Sequence, residues 1–268
     1  MFHWLRERRR TEIRKRPFPP EWEAFVRANV AHYCMLNDAE RAELRAMMQV
    51  FLEEKHWEGC GGLDLTDEIK VTIAAQACLL QLGLPHDYYP DVTSILVYPS
   101  TVVLPERRPG VLERVSGPIE PPMPILGQAL NWESVILVWD AVLHTARHPE
   151  QGHNLVYHEF AHKLDMLDGA ANGTPPIADR ARLSEWVAVC SREFLRLRHL
   201  AEKGAQKTFL DAYGAKNEAE FFAVATEEFF DRPLELRKQA PDLYRVLNVY
   251  YRQDPAERVK RVCQDRSV

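Results

Sequence analysis

No apolar run in this chain approaches the ~20 residues that a membrane-spanning helix needs. The best candidate, from Ile73 to Leu84, is too short and is interrupted by Gln76 and Gln81, so it reads as a buried helix. A secretory leader is not expected either. The opening residues carry Arg6, Arg8, Arg9, Arg10, Arg14, Lys15 and Arg16, but no apolar core follows them, and export is not expected. Paired cysteines are also absent: Cys34, Cys60, Cys78, Cys190 and Cys263 are scattered, and an odd number in such a pattern suits reduced thiols in the cytoplasm. There is no G-x-S-x-G elbow and no cysteine in a recognisable catalytic context, which disfavours a serine or cysteine hydrolase. A net charge of −5 gives no general reason to bind nucleic acid, and no internal repeat occurs.

What is present suits a soluble enzyme. With 268 residues, 46% of them hydrophobic and 27% charged, the chain can bury a sizeable core. Residues 1–20 read as a basic, partly ordered arm, set off by Pro17-Phe18-Pro19-Pro20 from a single domain over residues 21–268. Helices are expected from Glu21 to Tyr33, from Asp38 to Lys55 with Asn37 as cap, from Thr66 to Leu82, from Trp186 to Leu200 and from Pro241 to Tyr251. Strands are expected at Ser94–Tyr98, Thr101–Leu104 and Val135–Trp139, with a proline- and glycine-rich connection from Pro105 to Pro124. The Val135–Trp139 strand is a candidate for pairing with extended substrate, or else a fully paired central strand.

The most informative segment is Val156-Tyr157-His158-Glu159-Phe160-Ala161-His162-Lys163-Leu164-Asp165, an H-E-x-x-H sequence in a stretch that reads as one helix. Asn154 can cap its start, Leu155, Ala161, Leu164 and Met166 supply apolar positions, and Gly169 follows as a stop. Imidazoles four residues apart project from one helical face, so His158 and His162 can both reach a single Zn²⁺. Glu159 lies on the flank of that face and can take a proton from water at the metal. The motif encodes two ligands and a base.

A catalytic zinc usually has three protein ligands and leaves one position for water. The elongated metzincin pattern would need glycine at position 165 and histidine at 168, and Asp165 and Asp168 exclude it. The third ligand is expected on the helical segment 217–230, made apolar by Phe221, Phe222, Val224, Ala225, Phe229 and Phe230. A carboxylate in such surroundings is costly unless paired or bound to metal, which singles out Glu220 and Glu227, seven residues apart on one face. Either can be the ligand, with the other an outer partner or cap. Glu218 and Glu228 read as solvated.

HEFAHKLD, the upstream IAAQACLLQLGL and SILVYPS, and the downstream AEFFAVATEEFF follow one another in an order that resembles the Mlc titration factor A family of bacterial zinc metallopeptidases. The resemblance runs from about Arg16 to about Tyr250. It implies a gluzincin-like site with one Zn²⁺ per chain: His158, His162 and Glu220 as ligands, Glu159 as general base and Tyr213 as an oxyanion-stabilising phenol. A helix-flanking aromatic packed on the core is the other reading of Tyr213. The fold expected is α+β and zincin-like, mostly helical with a small mixed sheet beside the H-E-x-x-H helix.

The activity implied is aminopeptidase-like cleavage of peptide or aminoacyl substrates, with an Mlc-like transcriptional repressor as a partner, no direct nucleic-acid contact and no membrane. The competing expectation is a binding protein that titrates a transcription factor and keeps its zinc site for structure or as a relic. Sequence favours the enzyme. Glu159 is not needed to bind metal, and a purely structural zinc more often recruits four ligands, commonly with cysteine among them.

Overall fold

The computed structural model describes residues 2–85, 87–100, 133–204 and 208–265. Helix α1 (Phe2–Arg14) leads into α2 (Pro20–Asn29), and α3 (Asp38–Glu54) follows a short 3-10 turn. Asn37 starts α3 with a reciprocal capping box: its side chain accepts from the Glu40 N–H at 2.9 Å, and the Glu40 carboxylate accepts from the Asn37 N–H at 2.9 Å. After strand β1 (His56–Gly59), Thr66 caps α4 (Asp67–Gln81), in which every residue from Val71 to Gln81 is buried. A helix with no polar face must be enclosed, and α2 and α3 both pack on α4.

Strands β2 (Ser94–Tyr98) and β3 (Ser134–Val138) complete a three-stranded sheet in the order β1-β2-β3, with both described pairings parallel. A parallel neighbour requires a crossover, and α4 supplies it between β1 and β2. Register places Ile95 between Trp57 and Val135, and the buried Ile95, Val97, Val135 and Leu137 face the core. β2 occupies the expected residues. β3 stops at Val138, because Trp139 opens helix α5 (Trp139–Arg147) directly from the strand end. The expected strand Thr101–Leu104 and the connection from Pro105 to Pro124 lie outside the described residues.

Helix α6 (Leu155–Asp165) carries the H-E-x-x-H motif and touches β3, so the small sheet does lie beside it. Its packing face is aromatic: the Phe160 ring meets Tyr89 at 4.7 Å and Phe51 at 5.8 Å, and Tyr157 meets Phe230 at 5.3 Å. Such ring contacts, edge-on for Phe160 and tilted for Tyr157, contribute roughly 0.5–1.5 kcal/mol each beyond area burial and fix the rotation of α6 about its axis. The remaining helices are α7 (Arg180–Glu202), α8 (Glu218–Asp231), α9 (Pro233–Gln239), α10 (Pro241–Tyr251) and α11 (Pro255–Asp265). α8 packs along α6 more extensively than any other helix. Among the described residues no helix is long and apolar enough to cross a membrane.

The basic stretch, expected as a partly ordered arm, takes helical form. It is largely α1, docked on α3 with Ile13 fully buried. Arg10 is 5% exposed and forks onto Glu54 with two 2.7 Å bonds, also reaching Asp87, while Arg14 forks onto Glu43 at 2.7 Å. Local charge counting sees seven cations and not the α3 acids Glu43, Glu53 and Glu54, which pair with Arg9, Arg10, Arg14 and Arg16. Only the tertiary pairing turns a repulsive run into a packed helix.

Candidate metal centre

Two helix N-caps aim the site. Asn154 accepts from the Tyr157 N–H at 3.0 Å and starts α6 one turn before His158; Asn217 accepts from the Glu220 N–H at 2.9 Å and starts α8 at the turn that bears Glu220. Glu220 thus sits in the first turn of a helix, where the positive end of the macrodipole favours a carboxylate. Gly173 brings the two ends together. Its φ is +74°, and a Cβ there would lie 2.2 Å from the Glu218 carbonyl oxygen, so only glycine allows this approach. The buried Asp165 ties the same loop to α6 by accepting from the Gly173 N–H at 2.8 Å.

His158 Nε2 and His162 Nε2 lie 3.2 Å apart, and Glu220 Oε2 lies 3.1 Å from the first and 3.3 Å from the second. Ligand atoms of these three residues fall within 4.8 Å of one another, the one such cluster of three or more among the described residues. Two imidazoles and a carboxylate are the donor set of many catalytic zinc sites, and three donors leave a fourth position free. The residues fit a metal ion.

Glu227 has a separate place. Its carboxylate is 5% exposed and accepts from His158 Nδ1 at 2.7 Å and from the Asn154 N–H at 2.6 Å. With Nδ1 donating to Glu227, the lone pair of Nε2 is directed at the cluster. The sequence left Glu220 and Glu227 open as alternatives, and the fold puts them on opposite nitrogens of one imidazole. Burial works against a charge on His158, but the bonds to Glu220 and Glu227 prevail and push its pKa up to about 10 in the metal-free protein. Glu220 is held well below the usual carboxylate range, against burial, by the bonds from His158 and His162.

Glu159 is half-buried, and burial together with the Glu220 charge raises its carboxyl above the usual range although His158 and His162 pull it down. Tyr213, on the turn Ala212–Ala215, is 40% exposed and donates its hydroxyl to Glu220 Oε1 at 3.1 Å. Burial first, and then the Glu220 charge, push its phenol up to about 12, so it remains a donor at neutral pH. The five residues that the resemblance implies, His158, Glu159, His162, Glu220 and Tyr213, therefore converge on one corner between α6 and α8.

Residues 3–252 match the sequence profile of the glucose-regulated metallo-peptidase M90 family. The chain belongs to that family. Among its relatives, Mlc titration factor A of Yersinia pestis and that of Yersinia pseudotuberculosis are each 32% identical over 249 residues, covering 87% of this chain and 85% of their own. An uncharacterised protein of Synechocystis is 36% identical over 256 residues, covering 94% of this chain and 90% of its own. Membership, with a His-His-Glu cluster able to hold a metal, makes this a zinc-peptidase family protein of zincin-like fold. The family match begins at residue 3, so it takes in the basic helix α1.

Glu228, expected to be solvated, is 1% exposed. Its carboxylate pairs with the Arg232 guanidinium, with Nε donating at 2.8 Å, and burial pushes its pKa up to about 7 in spite of that partner. The pattern misled because α8 is enclosed on all sides, so its polar flank is as dry as its apolar one. Arg232→Ala leaves this carboxylate alone in the interior and is expected to cost about 3–5 kcal/mol of stability at pH 8. Without the guanidinium the Glu228 carboxyl rises above its wild-type value of about 7, so the loss shrinks as pH falls toward 7 and protonation neutralises it. Denaturant midpoints at the two pH values check this, and equal losses would exclude an orphaned charge as the cause.

Proposed function

We propose that the chain is a zinc-dependent, aminopeptidase-like hydrolase of peptide or aminoacyl bonds, with His158, His162 and Glu220 as the ligands of one Zn²⁺. The observation that supports this most is the convergence of those three donors beside the half-buried Glu159. When bound, the ion supplies Lewis acidity, lowering the pKa of water and polarising a carbonyl. Glu159 takes the proton of the attacking water and delivers it to the leaving amine, a task that its raised pKa suits. Tyr213 swings its hydroxyl from Glu220 to the oxyanion as charge develops there. Glu227 holds the His158 ring in one tautomer throughout. No covalent acyl-enzyme forms.

The test is a panel of chromogenic aminoacyl anilides and short peptides with zinc-loaded protein, before and after chelation. Zinc-dependent turnover is the expected result. Failure across the panel would favour the second reading, binding of an Mlc-like transcriptional repressor, which rests on what the Yersinia relatives are called. Direct binding of the purified repressor tests that role, which is compatible with catalysis. The cytoplasm is the compartment proposed, in line with an odd number of cysteines at scattered positions.

Two further outcomes follow for the site. Glu220→Gln should weaken zinc affinity far more than Glu227→Gln, since a lost ligand outweighs an orienting group, itself worth roughly ten- to a hundredfold. Chelator competition ranks the two; the reverse order would reassign the third ligand. Zinc must also displace the proton that His158 holds with a pKa of about 10, so apparent affinity should rise by up to about tenfold per pH unit between pH 6 and 9. Stability of the metal-free protein moves the other way. The folded pKa of His158 lies above its ordinary 6.5, so this contribution is complete below that value and lost as pH rises through about 10.

A further inference from the structure

Tyr213 must hold its hydroxyl at one point, yet its side chain is 40% exposed and stands on a turn of four residues. Its ring centroid lies 6.0 Å from that of His158 and 5.3 Å from the Lys216 ammonium, contacts too loose to lock it. A group carried on a short turn is only as well placed as the turn itself.

The turn is held by its own cap and by the residues that lead into α6. Asp211 Oδ1 accepts from the Tyr213 N–H at 2.7 Å, and the Asp211 carbonyl accepts from the Gly214 N–H at 3.0 Å. The second carboxylate oxygen, Oδ2, lies 3.5 Å from His153 Nε2. His153 directly precedes Asn154, the cap of the H-E-x-x-H helix. One carboxylate thus joins the turn that bears the phenol to the start of the helix that bears both histidines.

A second joint lies beside the first. Arg232 donates from Nη2 to the Phe209 carbonyl at 3.0 Å, and its guanidinium carbon lies 4.8 Å from the Phe209 ring centroid, so the chain is pinned two residues before Asp211. Gly152 makes room for that side chain: its φ is +71°, and a Cβ there would lie 2.4 Å from Arg232 Nε. Gly152, His153 and Asn154 therefore meet, in order, Arg232, Asp211 and Glu227. Three consecutive residues set the start of α6 against both the Tyr213 turn and α8.

We propose that Asp211, braced by His153, is a positioning residue for Tyr213 and acts on the reaction only through the place it gives the phenol hydroxyl. The proposal rests on the reading of Tyr213 as donor to the oxyanion. The cap carries most of the effect, because the His153 and Asp211 side chains are 54% and 37% exposed and an ion pair so open to water holds weakly.

Kinetics on an aminoacyl anilide with the zinc-loaded full chain give the first readout. Tyr213→Phe should lower kcat about a hundredfold, as loss of an oxyanion donor does. Asp211→Ala should lower kcat about tenfold, the size expected of a lost cap, with KM within about twofold of wild type. Asp211→Asn keeps an oxygen that accepts the Tyr213 N–H and should restore most of that loss, and His153→Ala should cost only about two- to threefold. In the Tyr213→Phe protein Asp211→Ala should cost less than about twofold, since the hydroxyl that it places is gone. Equal losses in the two backgrounds would mean general support of the fold and overturn the proposal.

The second readout needs neither turnover nor metal. With 3-fluorotyrosine at position 213 of the full metal-free chain, Asp211→Ala should move the fluorine resonance toward that of the free amino acid, and Asp211→Asn should move it far less. A resonance that Asp211→Ala leaves in place would overturn the proposal. Wild-type kcat in Tyr213→Phe would instead sink the oxyanion role of Tyr213, and with it any effect of Asp211 on the reaction, while the resonance still reports whether Asp211 places the ring.

Discussion

Glu159→Gln is expected to keep its zinc and to lose turnover by roughly 10²–10⁴-fold, the usual contribution of a positioned general base. The amide preserves the shape of the side chain in its half-buried position but cannot accept the proton of water. Burial already pushes the Glu159 carboxyl up, so the wild-type group is a better proton acceptor than a solvated glutamate, and the change removes more than an ordinary carboxylate. Elemental analysis and anilide turnover on the same sample check the two halves of the expectation. A metal-loaded Glu159→Gln protein with wild-type turnover would falsify the assignment of the base.

The second large effect is on the metal itself. The wild type should contain about one zinc per chain, and His158→Ala or His162→Ala should lose nearly all of it, because each removes a third of the protein ligand set. His158→Ala carries an additional consequence. It strips Glu227 of its ring partner at 2.7 Å and leaves that buried carboxylate only the Asn154 N–H, so this variant should be the less stable of the two. Metal content by elemental analysis and urea midpoints separate the effects. Full occupancy in the double variant would mean that the ion binds elsewhere.

Much of the local structure was legible. The Asn37 cap, Asn154 and Thr66 are short-range signals, since each side chain accepts from a backbone N–H three residues on, and all three start helices where the pattern placed them. Pro241–Tyr251 is α10 with the bounds expected. What the pattern missed also has local causes. β1 is four residues of mixed polarity with no alternation to detect, and α7 begins six residues before Trp186 because its first turn is polar and exposed. Trp139 extended an apolar run that looked like strand, yet it begins a helix, and nothing in five apolar residues distinguishes the two.

For the site, the sequence by itself determined the H-E-x-x-H helix, since its i, i+4 spacing is intrinsic to one helix and needs no tertiary partner. The residues narrowed the third ligand to Glu220 or Glu227, and only the resemblance chose Glu220 and brought in Tyr213, as their relation to the two histidines spans about fifty residues of chain or more. Only the tertiary structure decided that Glu220 faces Nε2 and Glu227 faces Nδ1 of the same imidazole, that Glu228 is buried, and that Arg9, Arg10, Arg14 and Arg16 pair with acids of α3. The physical reason is common to all three. Covalent geometry and hydrogen bonds between near neighbours fix where a helix starts and which residues share its face, whereas burial and charge pairing depend on what another element brings alongside.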